Sequence, residues 1–81
     1  MAKRVDELWA YCSIGNDGDE GIIGMHLGNV FMPFVCADKE RVNNLREHAI
    51  KIGQHARKAI VLKKFSTMTI EEEFLPPGDV N

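Results

Sequence analysis

Cysteine, proline and aromatic residues are all sparse in this chain, which has two Cys, three Pro, one Trp, one Tyr and four Phe among 81 residues. Cys12 and Cys36 stand in apolar stretches without C-x-x-C spacing, so neither a disulfide-dense scaffold nor a thiolate zinc site follows. Two buried, reduced thiols are expected, with a bridge between neighbouring strands as the alternative. No stretch approaches the roughly 18 consecutive apolar residues of a membrane span. Asp6 and Glu7 stand where a secretory signal places its apolar core, so the cytoplasm is the expected compartment and no membrane partner is expected. Repeats and low-complexity linkers are also missing. The net charge of −2 removes the general attraction to nucleic acid that a strongly basic domain would have.

What is present is a globular composition, 44% hydrophobic and 27% charged, in a length that allows one domain. Residues 1–75 read as that domain and 76–81 as a flexible tail, because Pro76-Pro77-Gly78 ends regular structure. Folding a chain of this mass leaves about 4,900 Å² exposed out of roughly 13,200 Å². That burial supplies about 125 kcal/mol against about 120 kcal/mol of ordering cost, so a lone copy is marginal. The charges are segregated: residues 1–36 sum to −3, residues 37–66 to +5, and residues 67–81 to −4. A basic middle between acidic ends suits an anionic ligand, or a charge match within or between copies.

Residues Val5 to Ile14 alternate, with Leu8, Ala10, Cys12 and Ile14 on one face and Trp9 and Tyr11 on the other, which predicts a strand. A turn rich in Gly, Asn and Asp follows at 15–20. A second strand is expected over Gly21 to Leu27 and, after Gly28-Asn29, a third over Val30 to Cys36, continuing a meander. Pro33 cannot donate to a ladder, so the third strand belongs at an edge or carries a bulge. Asp38 is a good N-cap for a helix from Lys39 to about His55, whose Val42, Leu45, Ala49, Ile52 and Ala56 form the apolar stripe. Gly53 borders that stripe and permits a close approach of the sheet. The last strand spans Lys58 to Phe65. Thr69 and Glu72 have capping-box spacing, so 69–75 reads as a short helix, with a further strand as the alternative. The fold class is α+β, a small antiparallel sheet in β-β-β-α-β order with one helix on one face. One helix covers one face only. Strand three is apolar on both sides, so a second copy is expected to cover the other face, with Phe31 and Trp9 at the contact.

Few residue patterns here carry chemistry. Starting at Asp17, a calcium loop would need Gly at its sixth position and Glu at its twelfth, where Ile22 and Gly28 stand. Glycines at 15, 18, 21 and 24 neither form G-x-G-x-x-G nor precede a helix. His48 and His55 are two helical turns apart, about 10.5 Å, too far to share one ion. No metal or other cofactor is expected. Ser13, Ser66, Cys12 and Cys36 lack an adjacent base, and Glu71-Glu72-Glu73 reads as a solvated run, so an enzyme is not expected.

The basic set is the better lead. On a helical wheel Arg41, Asn44, His48 and His55 share one shoulder of the stripe, and Lys39, Arg46 and Arg57 share the other with Ile50. Lys63-Lys64-Phe65-Ser66-Thr67 closes the last strand with two ammoniums, a ring and two hydroxyls. The candidate ligand set is Arg41, Arg46, His48, Lys63, Lys64, Ser66 and Thr67 for a phosphate, with Trp9 and Tyr11 (or Phe31 and Phe34) to stack a base.

The element order, with Phe34-Val35 before the helix and Leu62-Lys63-Lys64-Phe65-Ser66 after it, resembles small bacteriophage-encoded proteins of α+β fold. Some of these assemble as homo-oligomers and sequester cyclic nucleotide signals of bacterial immunity. The resemblance covers roughly residues 5–72 and contains no signature motif. It implies a sequestering protein acting in the host cytoplasm. The expected function is thus non-enzymatic binding by a homo-oligomer of a small anionic, nucleotide-like ligand. The first alternative is a protein–protein interaction module or inhibitor with acidic ends, and the second is a small enzyme of unknown type.

Overall fold

A computed structural model describes residues 4–78. In chain order its elements are β1 (Leu8–Ile14), β2 (Glu20–Ile22), β3 (Gly24–Leu27), β4 (Val30–Pro33), β5 (Val35–Cys36), α1 (Lys39–Ala56) and β6 (Ala59–Phe65). The architecture is α+β, with antiparallel sheets and one helix packed on them. The central strand is β1. One of its edges carries β6 along its whole length, from Leu8 opposite Phe65 to Ile14 opposite Ala59. The other edge is divided: β2 pairs with Cys12, Ser13 and Ile14, and β5 with Trp9 and Ala10.

Tyr11 stands at that division. Its N–H donates to the Phe34 carbonyl at 3.1 Å, its carbonyl accepts from Ile23 N–H at 3.0 Å, and Phe34 N–H donates to Ile23 at 2.8 Å. Three strands therefore meet in a closed triangle of backbone hydrogen bonds, and no group at the fork is left unpaired. The second and third strands expected from the sequence each break here, at Ile23 and at Phe34. Beyond the break β3 and β4 pair with each other as a separate hairpin. This replaces the simple meander. Gly24 is required where the hairpin leaves, because a Cβ there would collide with the Met32 carbonyl oxygen. Gly28, at φ 65°, makes the tight turn.

Helix α1 begins as its sequence dictates. The Asp38 carboxylate accepts from Glu40 N–H at 2.9 Å. Val42, Ala49 and Gly53 are buried, and Leu45 and Ile52 pack beside them. Ala56, assigned to the stripe, is exposed instead, because the chain leaves the helix at Arg57. Arg57 caps the helix in the left-handed region at φ 56°, a position usually taken by glycine.

Cross-strand pairing puts Trp9, Tyr11, Cys36, Ile60, Leu62 and Lys64 on the helix side. Leu8, Ala10, Cys12, Ile22, Val35, Val61, Lys63 and Phe65 share the other side. Cys12 and Cys36 thus lie on opposite faces and both are free and buried, so the cross-strand bridge does not form. Trp9 packs against the helix-side core, which corrects its assignment to the uncovered face. Residues 66–76 form no regular element, neither the short helix nor the further strand. Three adjacent carboxylates repel one another, and a helix this short needs a packed face that 69–75 does not find in its own copy. The tail residues Asp79-Val80-Asn81 lie outside the described residues.

The chain exposes 7040 Å², against about 4,900 Å² for a compact chain of its mass. Its radius of gyration is 16.3 Å, against about 12 Å for a compact domain of this length. The excess comes from the hairpin, the uncovered sheet face and the extended C-terminal segment. No described helix is long and apolar enough to cross a membrane.

Candidate anion-binding seam

The inward-facing side chains of β6 and one shoulder of α1 form a seam. The helix runs from Lys39 to Arg57 along it, and the chain returns from Lys58 along the strand to Lys64, so these four cations lie at its two ends. At the seam's helix N-terminal end Trp9 is half-buried, and two ammonium groups, Lys39 Nζ and Lys64 Nζ, each stand 5.7 Å from its ring centroid. Such contacts are attractive for each cation. Lys64 also pairs with Glu7 at 2.7 Å.

Further along, Arg46, Tyr11, Ile50, Ile60 and Leu62 line a cleft of about 180 Å³. Ile50 and Ile60 also line the next depression, about 320 Å³, with Gly53, Gln54, Arg57 and Lys58. Among the described residues no carboxylate lines either cleft. That is a notable local excess of positive charge in a chain of net charge −2. Lys58 also acts at longer range on Asp17, whose carboxyl is held low chiefly by the backbone N–H of Asp19.

The structure divides the residues that the sequence grouped. Arg46 and Lys64 lie in the seam, with Trp9 at its end. Tyr11 reaches the seam only as wall, since it is buried in the core and its hydroxyl donates to the Val42 carbonyl at 2.7 Å. A base cannot stack on a ring placed edge-on to Phe34 at 6.5 Å inside the core. Burial raises the Tyr11 pKa, and nearby Arg46 only partly offsets this. Lys63 points to the opposite face, where it pairs with Glu20, whose hydrogen bond holds its ammonium pKa up. Adjacent residues in a strand face opposite ways, so Lys63 and Lys64 cannot share one phosphate. Arg41 and His48 occupy the other shoulder of α1, with Arg41 near Cys36. Ser66 and Thr67 are exposed past the strand end, and Thr67 lines a small hollow with Asp6 and Glu7, surroundings that repel an anion.

Lys39, Arg57, Lys58 and Ile50 complete the seam and were outside the candidate set, although the wheel put Lys39, Arg57 and Ile50 on Arg46's shoulder. Choosing between the two shoulders needed to know which one β6 flanks. Among the described residues no group of three or more His, Cys, Asp or Glu is placed to hold a metal ion. Compared with protein-family models, curated proteins and solved structures, the chain has no significant match to any.

Proposed function

We propose that this chain is a non-enzymatic binding protein that works as a homo-oligomer and takes a small anionic, nucleotide-like ligand at the α1–β6 seam. The observation that carries the reading is the convergence of Lys39 and Lys64, from different elements, on the ring of Trp9. A phosphate at these ammoniums gains charge-assisted hydrogen bonds of about 1.5–3 kcal/mol each, at Lys64 in exchange for its pair with Glu7. The half-buried Trp9 ring can receive a base face at that end of the seam. Sequestration of a cyclic nucleotide signal, as the pattern resemblance to phage-encoded proteins implies, is the biological form of this reading.

Isothermal calorimetry with cyclic dinucleotides, mononucleotides and inorganic phosphate tests it. Lys39→Ala and Lys64→Ala should each weaken binding about tenfold or more, since 1.4 kcal/mol is a factor of ten, whereas Arg41→Ala and His48→Ala should not. The reading fails if the wild type binds none of these anions. The exposed Glu71-Glu72-Glu73 run favours the second reading, an interaction module for a basic partner. In that case anions leave the protein unaffected and a basic protein is retained through the run.

A further inference from the structure

The extended C-terminal segment exposes Met68 at 62%, Ile70 at 76%, Phe74 at 84% and Leu75 at 58% of their surfaces. Water is an unfavourable setting for four large apolar side chains within eight residues, and they flank three consecutive carboxylates. The seam offers the complement. Its deeper half, about 320 Å³, sets Arg57 and Lys58 beside Ile50 and Ile60, and Arg46 follows in the adjoining cleft. Among the described residues none of these three cations forms an ion pair. Strand β6 pairs with β1 on one edge, and its other edge is free among the described residues.

We propose that residues Met68–Leu75 of a second copy lie along β6 in this seam, with Glu71-Glu72-Glu73 against Arg46, Arg57 and Lys58 and the apolar residues against Ile50 and Ile60. The proposal rests on the homo-oligomer reading and gives it a named contact. An extended segment gains main-chain hydrogen bonds at an open strand edge, and its side chains supply specificity. The segment's own copy does not host it: residues 66–76 form no strand and β6 pairs with β1. Folding back on β6 through a two-residue turn would put Ser66 and Thr67 where such turns favour the positive φ of Gly, Asn or Asp. Thr67 and Thr69 favour extended backbone instead. The two copies can exchange segments reciprocally, which closes as a two-fold dimer. The 7040 Å² exposed exceeds the compact expectation by about 2,100 Å², more than the roughly 800 Å² each partner gives to a standard interface.

Arg57 supplies an independent observation. It occupies the left-handed helix cap, where glycine would be free of steric cost. A guanidinium stands at this strained position and lines the groove.

Sedimentation velocity on full-length protein at low micromolar concentration tests the contact. Wild type should sediment as a dimer or larger closed species. The triple variant E71K/E72K/E73K and the double variant R57E/K58E should each weaken association at least tenfold, and Phe74→Ser should do the same. Combining the triple and double variants should recover association, because opposite charges again face one another. The substituted residues are exposed, so circular dichroism should be unchanged. A monomeric wild type overturns the proposal, and so do charge variants that sediment like wild type or a combination that recovers nothing. If Val35→Asp dissociates the protein while the charge variants and Phe74→Ser leave it assembled, the homo-oligomer reading stands on the uncovered sheet face and the segment contact falls. Nucleotide calorimetry reads the Trp9 end separately.

Discussion

Gly53 lies against Ile60 so closely that a Cβ at position 53 would stand 2.5 Å from Ile60 Cγ1 and 3.0 Å from the Lys58 carbonyl oxygen. The last turn of α1 is thereby pressed onto the first residues of β6. Replacing a helical glycine with alanine ordinarily stabilises by about 1 kcal/mol. Here overpacking costs about 1–3 kcal/mol, and the second effect wins because a backbone oxygen as well as a side chain must move. Gly53→Ala should lower the melting temperature in calorimetry, by about 4–8 °C per kcal/mol for a domain of this size. A rise would mean that the seam has room to open.

Tyr11→Phe removes the hydroxyl that joins the sheet to Val42 and should cost about 1 kcal/mol in denaturant unfolding. The pH dependence is more specific. Burial raises the Tyr11 pKa above its ordinary value of 10.0, and burial likewise raises the Cys36 thiol above 9.0, with Asp38 adding to this and Arg41 opposing it. Lys63 is raised above 10.5 by its bond to Glu20. A group whose folded pKa is raised contributes fully below its unfolded value and loses that contribution as pH rises through its folded value. All three slope the same way, so unfolding midpoints should fall in alkali. The fall should start near the thiol value of 9.0 and steepen above 10.0. Tyr11→Phe should flatten the part above the tyrosine value, and Cys36→Ala the earlier part. Equal slopes in all three proteins would contradict the burial of these groups.

Much of this fold could be read from residue order. Asp38 as cap, the Val42–Ala49 stripe, the Gly28-Asn29 turn and the alternation of Leu8 to Ile14 all depend on neighbours within a few positions. The fork at Tyr11 was not legible, because its three hydrogen bonds join residues 11, 23 and 34 and no local pattern marks which strand leaves the sheet. Pro33 gave a partial sign, since an edge position or a bulge is expected on that strand. The site was half legible for the same reason. Lys63 and Lys64 looked like a pair in sequence, yet the pleat sends them to opposite faces. Composition located the basic middle, and only tertiary pairing chose between the shoulders of α1.

The uncovered face gives a comparison of two aspartates. Val35 lies on the side away from the helix and is partly exposed, whereas Trp9 packs against the core from the helix side. Val35→Asp should leave the secondary structure intact by circular dichroism and shift sedimentation toward a smaller species, since its charge becomes desolvated only in an assembly. Trp9→Asp should unfold the chain instead. If both variants remain folded and assembled, neither face takes part in the contact.

Arg57 separates stability from function most sharply. A non-glycine residue in the left-handed region costs about 1 kcal/mol relative to glycine, and the Arg57 backbone N–H already makes its cap bond to Gln54. Arg57→Gly therefore keeps the cap, relaxes the backbone and should raise the thermal midpoint of the monomer measured under dissociating salt. The same substitution removes a cation from the seam, so association in dilute salt should weaken by about tenfold or more, the loss of one charge-assisted contact. Arg57→Lys should preserve most of the association while retaining the strain. A protein that is stabilised by glycine and associates as well as before would show that this guanidinium serves no contact, and that its place at the cap is unrelated to the groove beside it.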